Sequence, residues 1–130
     1  MKTLFVILIV FAFCSGCNNK TEIENKINSG ICGVNDPSKD LPWLKDIINK
    51  AEQDKSYKTY QGNYMGKIYL ETYKGNSVLL CDMAMGSGGI GGYVFQCDGT
   101  KEEFNNDPKE VESFFSSVKK TIIIYSNVPI

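Results

Sequence analysis

Histidine and arginine are both absent from these 130 residues, and the two absences exclude more than any motif present supplies. Without histidine there is no imidazole to activate a serine or cysteine, and none to ligate a metal. Without arginine there is no planar fork to grip phosphate or carboxylate through two parallel bonds, a task lysine does poorly. The 14 cationic side chains are therefore all lysines; they stand against 15 Asp and Glu, for a net charge of −1. A balance this close projects no field toward nucleic acid or anionic lipid. The common hydrolase constellations are gone, so the chain reads as non-catalytic, with no cofactor and no metal. Asp82 and Glu71, on one strand face, are the carboxylate pair left to consider for acid–base work.

Long apolar runs are scarce as well. The longest, Leu4 to Phe13, is too short to cross ~30 Å of hydrocarbon as a helix, which takes roughly 20 residues. With Lys2 before it and Ser15-Gly16-Cys17 after it, it reads as the apolar core of a secretory signal. A cysteine directly after two small residues resembles a bacterial lipobox, in which cleavage precedes the cysteine and its thiol carries diacylglycerol. Cys14 departs from the Leu or Val usual at the first lipobox position, so plain cleavage stays open. The expected organisation is a signal peptide over 1–16, a polar tether over 17–31 and a single domain over 32–130, enough for one hydrophobic core. Export implies an oxidising compartment. With Cys17 lipidated, Cys32, Cys81 and Cys97 allow at most one internal disulfide.

Along the domain, Asp40 is placed to cap a helix whose first turn holds Pro42, and Leu41, Leu44, Ile47, Ile48 and Ala51 make its apolar stripe. From Tyr64 the period becomes two. Ile68, Leu70 and Thr72 alternate with polar and tyrosine positions, Lys74-Gly75-Asn76 turns the chain, and Ser77 to Met85 returns. A tight hairpin sets Ile68, Leu70 and Thr72 on one face with Leu79, Cys81 and Met83. Tyr93 to Cys97, the turn pair Asp98-Gly99 and a polar Thr100 to Phe104 read as a third strand and a charged edge strand. Asp107-Pro108 with Glu110 opens a second helix bearing Val111, Phe114, Phe115 and Val118, and Thr121 to Tyr125 reads as a last strand. The fold class is α+β: a mainly antiparallel four- to five-stranded sheet with two helices.

Three further features carry chemistry. The glycine cluster Gly86 to Gly92 matches a dinucleotide fingerprint in spacing alone, because strand residues and not a helix follow it; it reads as a long hairpin loop that exposes Ile90. Cys81 and Cys97 flank that loop and stand opposite each other if the strands pair symmetrically about Gly89. Such a bond, closing about fifteen residues, contributes roughly 3 kcal/mol. A bond from Cys32 and buried free thiols are the alternatives. Tyr69 and Tyr73 share the face opposite Ile68 and Leu70, to be covered either by the first helix or by a partner. With Trp43, Ile90 and Tyr93 they are the candidate partner-binding residues, although Trp43 also fits simple packing over the sheet.

The run Asp40-Leu-Pro-Trp-Leu-Lys45, behind a lipoprotein-type signal and ahead of a tyrosine-rich β-region, resembles uncharacterised small lipoproteins of the Bacteroidetes type. The resemblance implies export, anchoring and an α+β domain, and it transfers no catalytic residue. The expected function is that of an exported, lipid-anchored envelope protein acting as a non-catalytic binding or accessory module. The membrane is contacted through the lipid on Cys17, and an envelope protein or glycan is the expected partner. The outer membrane or cell surface is the expected location, ahead of the inner membrane. A secreted protease inhibitor or toxin-immunity lipoprotein is the alternative.

Overall fold

Lys74 and Gly75, with φ of 48° and 81°, form the two-residue turn whose twist matches a hairpin, and the rest of the sheet is built outward from it. The computed structural model describes residues 30–57, 62–85 and 92–129. Strand β1 (Lys67–Tyr73) pairs antiparallel with β2 (Asn76–Asp82), setting Ile68 against Cys81 and Leu70 against Leu79. The parity expected from the sequence holds. Strand β3 (Tyr93–Gln96) adds to β2, and β4 (Ile122–Ser126) adds to the other side of β1, giving the antiparallel order β3-β2-β1-β4. The β1–β4 ladder shifts register between Ile68 and Tyr69, so that Ile124 is an extra, bulged residue.

Helices sit on both faces. A one-turn α1 (Pro37–Asp40) leads into α2 (Pro42–Tyr57), and α3 (Pro108–Ser117) follows the third strand. Leu41, between the first two, and Leu44, Ile47 and Ala51 of α2 pack on Ile68, Leu79, Cys81 and Met83. On the opposite face Phe104 and Phe114 pack on Tyr69, Val78, Leu80 and Val94. Tyr69 and Tyr73 are therefore covered by the second long helix and not by the first. The physical reason is that α2 is committed to the even-numbered face of β1, where the apolar aliphatic residues are.

The Asp40-Leu-Pro-Trp-Leu run is the joint between α1 and α2. Asp40 does not cap α2: its carboxylate accepts from the Asp36 amide at 3.0 Å, while Asp36 accepts from Ser38, closing α1 on itself. Leu41 is extended, with φ −93° and ψ 110°, and its carbonyl takes the first bond of α2 from Lys45. Pro42 fits the first helical position, where an amide has no partner. At the start of α3 the Asp107 side chain accepts from Lys109 as the sequence implies, but Glu110 turns away to Lys74 and Asn105.

Thr100 to Phe104 is not a strand. After the Asp98-Gly99 turn the chain follows β3 only through a bridge at Lys101, with bonds from Gln96 to Thr100 and from Glu102 to Val94. It then winds left-handed at Phe104, Asn105 and Asn106, whose φ values are 49°, 51° and 56°. A left-handed residue other than glycine costs about 1–2 kcal/mol, asparagine least. Burial of Phe104 and bonds from Asn106 to Glu103 and from Asp107 to Phe104 hold the turn.

Two buried polar side chains tie the far end together. Asp54 accepts from the amides of Gly62 and Tyr64, at 3.2 and 2.9 Å. Asn127 accepts from Gly66 at 2.8 Å and donates to the carbonyls of Tyr64 and Ala51. Gly66 is required there: a Cβ would lie 2.1 Å from the Asp82 carbonyl oxygen.

Candidate functional site

The cysteines are joined differently from the sequence expectation of Cys81 with Cys97. The bond runs from Cys32 to Cys97, with Cα atoms 5.2 Å apart. The register explains why. Cys81 stands opposite Tyr93 and not Cys97, four residues short, which is roughly 13 Å along a strand. That lies beyond the ~7 Å a disulfide spans. Cys97 instead falls in the turn after β3, where the tight Ile31–Val34 turn presents Cys32. Ile31, which the sequence assigns to the tether, opens that folded turn. Cys81 is a free, fully buried thiol, and burial pushes its pKa up to about 12.

Trp43 packs beside Cys97. Its Nε1 donates to the Cys97 carbonyl at 3.1 Å, its ring lies 5.3 Å from that of Phe95, and it sits where a Cβ on Gly99 would be. Tyr69 is only 7% exposed. Tyr73 meets the rings of Phe104 and Phe114 edge-on at 5.1 and 5.6 Å. Its buried Oη makes no hydrogen bond of normal geometry but lies close enough to Lys74 and Glu110 to interact with both, and burial raises the phenol's pKa. Tyr93 is half-buried, with its Oη donating to the Ala84 carbonyl. Four of the five candidate partner-binding residues thus belong to the packing of the domain. The fifth, Ile90, and the lipidation candidate Cys17 lie outside the described residues.

The carboxylate pair is occupied by the chain segment entering β4. Glu71 accepts from the amides of Lys119 and Lys120, at 3.3 and 2.7 Å, and Asp82 is paired with Lys120 Nζ at 2.7 Å. Lys120 crosses the Tyr69 ring on its way, and Asp82 holds its ammonium pKa above the ordinary lysine value. Sequence reading missed these partners because they come from a backbone turn 38 to 49 residues away. A surface cleft of about 380 Å³ lies elsewhere, between Tyr73, Ser77, Gln96 and Glu102. Two of its polar groups serve each other, Gln96 donating to Glu102 at 3.0 Å. Among the described residues no group of three or more carboxylates and thiols is placed to hold a metal ion, and no helix is long and apolar enough to cross a membrane.

Strand β4 ends the sheet on one side, with α1 packed close to it. The β3 edge is bonded by the 100–102 arm, whereas among the described residues nothing pairs with the far side of β4. Its Ile122 and Ile123 are 41% and 36% exposed. The sequence shows this strand as β-branched and apolar, but not that it ends up at an edge. No protein-family model, curated protein or solved structure matches the chain.

Proposed function

We propose that the protein is an exported, lipid-anchored component of the bacterial cell envelope whose domain is a non-catalytic binding module. The observation that carries the reading is the Cys32–Cys97 disulfide behind a leader ending in Ser15-Gly16-Cys17. Structural disulfides persist where glutathione and thioredoxin do not reduce them, so a bond that fastens the start of the domain to its sheet supports residence outside the cytosol. The leader supplies the route there, and Cys17 the acyl acceptor. The Asp40 to Lys45 run, which resembles a run in small envelope lipoproteins, adds to the reading; in this fold it is the joint from which Trp43 bonds the Cys97 carbonyl. Binding as the role is supported by how the candidate groups are spent. Glu71, Asp82, Tyr69 and Trp43 serve the fold, and an unpaired apolar strand edge is what the described surface offers to another molecule.

Metabolic labelling with an alkyne analogue of palmitate in a bacterial host tests the reading. The wild-type chain is expected to take up label and to partition with membranes, and Cys17→Ser to do neither. Equal labelling of the two chains, or an unlabelled wild-type protein in the cytosolic fraction, overturns it.

A further inference from the structure

We infer that the outer edge of β4 is a docking strand for an extended segment of another protein, aliphatic in its middle and carrying a carboxylate toward each end. This rests on the domain being a binding module and names the partner's chemistry. An open sheet edge presents a row of unpaired amides and carbonyls, and natural folds blunt such edges with charge, proline or a covering arm. The opposite edge of this sheet has its cover, the arm bearing Lys101, Glu102 and Glu103. Within Ile122–Ser126 there is neither charge nor proline, and Ile122 and Ile123 stand exposed. Another extended chain can replace the water on such a row, with main-chain bonds supplying affinity and alternate side chains supplying selectivity.

Charge decides which chain. Lys67 stands across from Ser126 at one end of β4, and Lys119 precedes the strand at the other. Neither makes an ion pair among the described residues, whereas Lys120 is taken by Asp82. A second copy added antiparallel would bring Lys119 of each molecule toward Lys67 of the other, two like-charge encounters that count against self-pairing. A foreign strand with a carboxylate at each end meets a lysine at both, whichever way it runs, and like-charge partners are rejected by the same geometry.

Hydrogen exchange on the full chain in detergent tests this with two synthetic peptides of alternating valine and threonine. One ends in glutamates and the other in lysines. The glutamate peptide is expected to slow the outward-facing amides of Ile122–Ser126 by at least ~10-fold and to leave the β3 edge unchanged. Reversing both charges, Lys67→Glu with Lys119→Glu, is expected to weaken that peptide by roughly 10-fold or more and to admit the lysine peptide instead. Lys67 stands opposite Asp82 in the β1–β2 ladder and the Lys119 amide donates to Glu71, so the neutral pair Lys67→Gln with Lys119→Gln, checked for an unchanged urea midpoint, is the companion variant and is expected to lose the preference for the glutamate peptide. Absence of protection at millimolar peptide, or indifference of both chains to peptide charge, overturns the inference. So does sedimentation showing concentration-dependent dimers lost on Ile123→Lys, which would assign the edge to a second copy. A chain that binds the glutamate peptide but is never acylated would sink the anchoring alone.

Discussion

At the scale of single residues, Tyr73 and Gly66 test the packing from opposite directions. Tyr73 presses its ring between Phe104 and Phe114 while its buried Oη, beside the Lys74–Glu110 pair, makes no hydrogen bond of normal geometry among the described residues. An unpaired buried hydroxyl costs on the order of 1–3 kcal/mol, partly offset by what the ring buries. Tyr73→Phe keeps the ring and removes the hydroxyl, so urea unfolding is expected to show stability unchanged or raised by about 1 kcal/mol. A loss larger than that would mean the oxygen has a partner. Gly66→Ala is expected to go the other way, because the new methyl would meet the Asp82 carbonyl at 2.1 Å, in the strand that must stay paired. Overpacking of this kind costs about 1–3 kcal/mol, read as a lower urea midpoint with the slope retained. Neither feature is legible in the sequence, where Tyr73 is one tyrosine of seven and Gly66 one glycine of 12. Asp54 is different. It falls three residues after Ala51 on the apolar stripe of α2, and a carboxylate there is a signal that something polar meets it inside.

At the scale of elements, the sequence reads well wherever local chemistry decides. The β1–β2 hairpin follows from its turn and its alternation, α3 from Asp107-Pro108, and the Asp98-Gly99 turn from its residue pair. It reads poorly wherever a long connection leaves a choice. Between β2 and β3 the chain is free to slip in steps of two without changing which side chains face the core, and the four-residue difference from symmetric pairing moved Cys97 away from Cys81. The side of β1 on which β4 settles is equally invisible, and with it the partners of Glu71 and Asp82. Elements are also where pH acts. Lys74 in the hairpin turn pairs with Glu110 of α3, and this neighbour holds the Glu110 carboxyl below its ordinary 4.5. A depressed carboxyl contributes stability that is fully present above the unfolded value and is lost as pH falls through the folded one. Asp36 and Asp98 act in the same sense below 3.8, through Lys39 and Thr100 respectively. The thermal midpoint is therefore expected to decline as pH drops below about 4.5, and to decline less in Glu110→Gln. Asp98 is exposed and Asp36 and Glu110 are only half-buried, so the effect is modest and should shrink in high salt. A Glu110→Gln profile as steep as the wild type would assign the acid sensitivity to other groups.

At the scale of the whole molecule, one covalent bond fastens the first described turn to the sheet across 65 residues. In the chain-entropy account a closed loop of that length is worth roughly 4 kcal/mol, a large part of the stability of a domain this size. Cys32→Ser and Cys97→Ser are each expected to lose about that much, and Cys81→Ala, which empties a buried site beside α2, less: about 1–2 kcal/mol. Equal losses at all three would speak against the Cys32–Cys97 pairing. The leader, the tether and the oxidising address are all sequence readings, and the disulfide is where they meet the fold. The most direct measurement is the intact mass, before and after reduction, of the protein taken from the membranes of its bacterial host. The account predicts a chain beginning at Cys17, heavier by its acyl groups and lighter by two hydrogens, with Cys32 and Cys97 peptides joined until reductant is added. A full-length chain still carrying Met1, unacylated and with every thiol reduced, would contradict it.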